Sequence, residues 1–156
     1  MDLTTKGIVL IQIATYINLD MLEMDYPDPI RDKQNATVIA SGRASMTCTG
    51  SRGIVRGQKS WSLEFEAEPG DIVSFSSVIT SDSRAYTASI YSLGNPSDRS
   101  IFSGEDTKKD SIELKVQSYG STILTPSFGL YTKDVGGKPK DLIGYFYFGS
   151  GIMVRY

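Results

Sequence analysis

The sequence predicts an all-β domain, an antiparallel sandwich or barrel, and three observations lead there. Apolar and polar residues alternate at period two: Trp61, Leu63, Phe65 and Ala67 interleave with Ser62, Glu64, Glu66 and Glu68, as in a strand with one buried face. Turn chemistry separates such runs. In Glu68-Pro69-Gly70-Asp71, Pro presets φ at the first central position and Gly accepts positive φ at the second. The runs recur about every 8–15 residues, the spacing of sandwiches and barrels.

The elements follow in order. Ile8 to Thr15 reads as a first buried strand, since Gly7 to Ala14 is an apolar run interrupted only by Gln12. Asn18 to Tyr26 places Leu19, Met21 and Leu22 on a partial face and is stopped by Pro27, so one short helix or an ordered loop is expected there. Thr37 to Ala40 supplies a further strand, and the alternating run from Trp61 follows it. Ile72, Val73, Phe75, Val78 and Ile79 make a more continuous β-branched run suited to a central strand, and after the Ser81–Arg84 turn comes Tyr86 to Leu93. Gly94-Asn95-Pro96 breaks the pattern, and residues 95–111 are polar enough for a long loop. Ile112 to Val116 alternates again. Phe128 to Tyr131, Leu142 to Phe148 and Ile152 to Val154 complete eight or nine strands, with Val135 to Pro139 as a turn.

With 156 residues, no repeat and no linker, residues 1–156 are expected to form one domain. Such a length buries roughly two-thirds of its unfolded surface and needs no disulfide. The lone Cys48 could not make an internal one. One free cysteine, and no persuasive signal peptide around Lys6 and the apolar run, predict a reduced, cytoplasmic protein. No apolar run approaches a membrane span. A net charge of −2 implies neither nucleic acid nor an anionic membrane as partner.

The chain contains no histidine. That excludes Ser-His and Cys-His catalysis, His-ligated metals and the usual pH switch near neutrality. Cys48, between Thr47 and Thr49, reads as a small strand residue. Lys59 and Ser60 are adjacent, so on a strand they face opposite sides and cannot form a dyad. Asp20, Glu23, Asp25, Asp28 and Asp32 crowd one region, but their spacing fits no EF-hand, and a solvated acidic loop is expected. Glu64 and Glu66 read as an exposed strand face; glycosidase chemistry needs two acids across a cleft. Tyr145-Phe146-Tyr147-Phe148 sends two phenylalanines to one face and two tyrosines to the other, and the tyrosine face suits either an interface or cover by a second layer of the sandwich.

The order of several short motifs resembles the bacterial inclusion body protein family of the PixA/AidA type. The motifs are Tyr26-Pro27-Asp28-Pro29 with Arg31, Asp32 and Asn35 after it, Gly53-Ile54-Val55-Arg56-Gly57, Ala67-Glu68-Pro69-Gly70-Asp71 and Gly144-Tyr145-Phe146-Tyr147 before a last strand. The chain departs from the pattern at Ile11-Gln12-Ile13-Ala14-Thr15, where an acidic Ile-Asp-Thr run is usual, and at Phe75 with its neighbouring serines. The resemblance covers nearly the whole chain. It implies a jelly-roll-like sandwich in a bacterial cytoplasmic protein, associated with crystalline inclusions or quorum-controlled expression, and it carries no catalytic residues.

Two functions are therefore expected. The first is non-enzymatic self-association through strand faces or edges, with no cofactor. The alternative is a lectin-like carbohydrate-binding module, calcium-assisted or not, using Asp28, Arg31, Asp32 and Asn35 from one loop and Asp82 and Arg84 from another.

Overall fold

A computed structural model describes residues 7–40, 43–80 and 85–156. Twelve strands, one α-helix and one 3-10 turn make up these residues. In chain order the strands are β1 (Leu10–Ile17), β2 (Thr37–Val38), β3 (Ser45–Thr49), β4 (Ser62–Glu66), β5 (Ile72–Ile79) and β6 (Tyr86–Ser92). They continue with β7 (Phe102–Thr107), β8 (Ile112–Val116), β9 (Gly120–Leu124), β10 (Ser127–Lys133), β11 (Pro139–Tyr147) and β12 (Ser150–Arg155). The helix α1 (Leu19–Asp25) starts where the Asn18 side chain accepts from the Met21 N–H, and it stops before Pro27. It buries Leu19 and Leu22.

The strands form three sheets, ordered β3-β1-β5-β8-β7, β2-β11-β10-β6 and β4-β12-β9. The all-β expectation holds, but the wholly antiparallel one is corrected. β1 pairs with β5, β2 with β11 and β4 with β12 in parallel. Each parallel pair joins strands far apart in sequence, where long connections allow either direction. The strand count is also higher than expected, because β3, β7 and β9 carry weak apolar signals. β7 lies inside the expected 95–111 loop. It is an edge strand whose Glu105 and Asp106 are exposed, so it needs no alternation and its charge discourages further pairing. The Gly53–Gly57 motif makes a single bridge, Arg56 to Glu64.

All three sheets turn one face to a common core. In the five-stranded sheet Cys48, Ile13, Phe75 and Ile112 stand in register as one row. In the four-stranded sheet the row is Ile90, Phe128 and Phe146, with the two phenylalanine rings stacked at 5.6 Å. The third sheet adds Leu63, Phe65, Ile152, Val154 and Leu124.

A buried ion pair ties the sheets together at one end. Asp71 immediately precedes β5 and is 1% exposed. Its carboxylate accepts from Arg52 Nε at 2.7 Å and Nη2 at 2.8 Å, a bidentate pairing. It also accepts from the backbone N–H of Val9 and of Glu68. Arg52 further donates to the Gly7 carbonyl, and its own N–H bonds the Glu66 carbonyl. The expected turn at Glu68–Asp71 forms as read. Gly70 sits at φ 99°, and the Asp71 N–H donates to the Glu68 carbonyl. Burial alone pushes the Asp71 carboxyl up; the hydrogen bonds from Arg52, Glu68 and Val9 outweigh it and hold the group below its ordinary value.

Asp71→Ala leaves two buried N–H groups without an acceptor and the Arg52 guanidinium with only the Gly7 carbonyl and Glu68, at 3.8 Å, beside it; it is expected to cost about 3–5 kcal/mol, read as a lowered denaturation midpoint with unchanged m-value. Because the folded pKa lies below the unfolded one, this contribution is complete above about pH 4 and lost as pH falls through the folded value. Asp71→Asn should therefore flatten the acid limb of the stability profile; an unchanged limb would mean the pair contributes nothing there. A second test concerns Gly144. A Cβ there would lie 2.6 Å from Pro29 Cβ, so Gly144→Ala should destabilise by about 1–3 kcal/mol in chemical denaturation.

Candidate functional site

The loop that sequence reasoning singled out is a strap along the edge of β11. Tyr26 packs its ring edge-on to Phe146 at 6.2 Å, and its hydroxyl accepts from the Ala40 N–H. Pro29 lies on Gly144. The Ile30 carbonyl accepts from the Tyr145 N–H, and β2 then pairs with Phe146 and Tyr147. Asp32 is used internally: Oδ1 accepts from the Gln34 N–H and Oδ2 from Asn35 Nδ2, closing the 3-10 turn over Lys33–Asn35. Arg31 Nε approaches the Ile143 carbonyl at 3.4 Å, and Asp28 is exposed. Asn35 is the one of these four residues that lines a groove. Asp82 and Arg84 lie outside the described residues.

That groove, about 650 Å³, runs between the strap and the outer face of the four-stranded sheet. As expected, Phe146 and Phe148 go to the core, while Tyr145 and Tyr147 lie half-buried on the other side. Tyr91 meets Tyr145 edge to face at 5.5 Å, and Lys33 Nζ stands 4.7 Å from the Tyr91 ring centre and 5.6 Å from that of Tyr145. Tyr131 hydrogen-bonds Tyr145 across Gly129; a Cβ on Gly129 would lie 2.7 Å from the Tyr131 ring. Burial, and then the tyrosine neighbours, push the Tyr91 and Tyr131 hydroxyls up, so both remain protonated donors at neutral pH. Neither Lys33 nor the meeting of Tyr91 with Tyr145 was legible, because the segments that bring them together are distant in sequence.

The outer face of the three-stranded sheet carries a second feature. Sequence alternation put Trp61 on the buried face with Leu63, Phe65 and Ala67. Those three are buried, but Trp61 is 41% exposed. It precedes β4, where the chain leaves the Lys59–Ser60 bend, so the alternation does not yet apply. Its ring lies against Gly151, which pairs with Ile123, 44% exposed. Met153, 38% exposed, follows two residues on. A groove of about 450 Å³ crosses this apolar patch. At its rim Glu64 sits between Arg56 at 3.5 Å and Arg155 at 3.6 Å.

Catalytic and metal chemistry find little support among the described residues. Cys48 is buried, and desolvation pushes its thiol up to about 11, away from a reactive thiolate. Asp20, Glu23, Asp25, Asp28 and Asp32 do not converge, and no three His, Cys, Asp or Glu side chains among the described residues are placed to hold a metal. Asp25 instead pairs with Arg43 at 3.2 Å. Glu64 and Glu66 are half-buried beside arginine and backbone donors rather than across a cleft from each other. No helix among the described residues is long and apolar enough to cross a membrane.

Comparison with known proteins places the chain. A crystal structure of an inclusion body protein (PixA) from Burkholderia cenocepacia J2315 superposes with a TM-score of 0.80 and 25% identity, covering 99% of this chain and 100% of that one. A cysteine protease inhibitor from Entamoeba histolytica matches at a TM-score of only 0.28 and 18% identity, over 60% of this chain and 84% of its own, and carries no argument. No curated protein matches. The family model for the inclusion body protein PixA matches residues 9–109, which span β1 to β7 and include the strap and both partners of the Arg52–Asp71 pair. The chain belongs to the PixA inclusion body protein family.

Proposed function

We propose that this protein is a non-catalytic, self-associating cytoplasmic protein, and that the outer face of the three-stranded sheet is where copies meet. The observation that carries this reading is the Trp61, Ile123 and Met153 patch, three large apolar side chains exposed together. Its rim holds Arg56, Arg155 and Glu64, both signs of charge on one surface. A two-fold contact sets each patch against its own copy, so a mixed-sign rim can be complementary to itself. A net charge of −2 offers little long-range repulsion to oppose close packing. Family membership supports the reading, since the matching model is that of an inclusion body protein.

Carbohydrate binding has one observation in its favour: the tyrosine groove combines Tyr91 and Tyr147 with Gln34, Asn35, Ser92 and Ser127, an aromatic and hydrogen-bonding lining. Lys33 already covers two of the tyrosine rings, so a stacked sugar has to displace it. A glycan array that stays flat with and without calcium removes this second reading.

For the first, sedimentation velocity over a concentration series should show assembly of the wild-type chain. Ile123→Glu with Met153→Lys should raise the concentration needed by at least about tenfold, the effect of losing interface residues worth more than 1 kcal/mol. A wild-type chain that stays monomeric throughout, or a double variant that assembles like wild type, overturns the proposal.

A further inference from the structure

A cavity of about 370 Å³ opens between α1, the end of β1, the start of β3 and the four-stranded sheet. It is distinct from the tyrosine groove and the tryptophan patch. Its floor is apolar and buried: Leu22 from α1, Ile39 just after β2, Phe128 from β10 and Phe148 just after β11. Its volume falls in the range of roughly 300–1,000 Å³ typical of small-molecule sites, which also pair an apolar lining with a few polar groups.

The polar groups are biased in sign. Arg43, Lys59 and Asp25 are the charged residues lining the cavity, and all are exposed at its rim. Arg43 uses Nε on Asp25 at 3.2 Å. Lys59 has no ion-pair partner among the described residues, so the rim carries a net positive charge above an apolar well. Lys59 is also unusual in its backbone. At φ 64° it is the only non-glycine in the left-handed region among the described residues. Its N–H donates to the Met46 carbonyl, and the Ser60 N–H donates to the Gly57 carbonyl, which holds it in that conformation beside the cavity. Glycine would fit the position with less strain.

We infer that this cavity binds a small amphipathic monocarboxylate, its apolar tail on Leu22, Ile39, Phe128 and Phe148 and its carboxylate at Lys59 and Arg43. A neutral ligand with the same tail makes the apolar contacts but leaves the cations without a partner. An isolated carboxylate finds the cations but gains no burial.

Isothermal titration with octanoate, octan-1-ol and acetate tests this on the full chain. Octanoate should bind saturably at one site per chain, octan-1-ol about fivefold more weakly, and acetate not measurably. Lys59→Gly removes the ammonium at a position suited to glycine, so the fold is retained; it should weaken octanoate about fivefold and leave octan-1-ol unchanged. Leu22→Trp, filling the floor, should abolish both, with circular dichroism confirming that the variant is folded. Equal affinity for octanoate and octan-1-ol, an unaltered octanoate affinity in Lys59→Gly, or no saturable octanoate binding overturns the inference.

Discussion

The Arg52–Asp71 pair is the constraint on which the rest of this structure depends. One carboxylate, almost fully withdrawn from water, accepts four hydrogen bonds from the segment before β1, the loop between β3 and β4, and the turn before β5. Next to it the Gly70 N–H reaches the Val116 carbonyl, and the Val116 N–H returns to the Asp71 carbonyl, so β8 is fixed as well. Ala67, four residues earlier and buried, bonds β12 through the Arg155 carbonyl. A buried charge with every acceptor site used is costly to assemble and specific once made. That explains why the Ala67–Asp71 motif is compact: Ala, the Pro-Gly turn and Asp each satisfy a different backbone requirement within five residues.

The strap between α1 and β3 works on the other side of the molecule by quieter means. It adds the short parallel strand β2 to β11, a proline against a glycine, and a tyrosine that seals the phenylalanine stack. Its polar residues, which looked like ligand groups, are largely occupied in shaping the strap. Asp32 is the clearest case, because both of its oxygens serve the turn that it begins. In moving Lys33 over Tyr91 and Tyr145, that turn also closes much of the aromatic surface that it borders.

What was legible in the sequence, and what was not, follows from the range of the forces involved. Alternation over Leu63–Ala67 and Ile112–Val116, the stop at Pro27 and the Pro69-Gly70 turn are local, and they appear where the residues place them. The division of Phe146 and Phe148 from Tyr145 and Tyr147 is also a local consequence of strand geometry. Strand direction is not local. Nothing in Leu10–Ile17 says that its partner is Ile72–Ile79 or that the two run parallel. The polar strands β3, β7 and β9 hide for a related reason, since each owes its conformation to a neighbour rather than to its own apolar pattern. Trp61 misled because alternation was extended one residue beyond the strand that justified it. The cavity under α1 draws on residues from Leu22 to Phe148, and no short window could have assembled it.

The three parallel pairings also bear on how the chain reaches this state. β1 lies between β3 and β5, β2 waits for β11, and β4 waits for β12. The five-stranded sheet needs only residues up to β8, while β2, and β4 apart from its bridge to Arg56, remain without a strand partner until strands roughly a hundred residues later have been made. Contacts of such long sequence separation impose a large loop-closure cost and slow folding. During synthesis the emerging chain therefore carries open strand edges until its last strands are made, and unpaired edges of that kind are the aggregation-prone part of a folding intermediate. Completion of the fold is then governed by how late β11 and β12 become available as much as by the strength of the contacts they make.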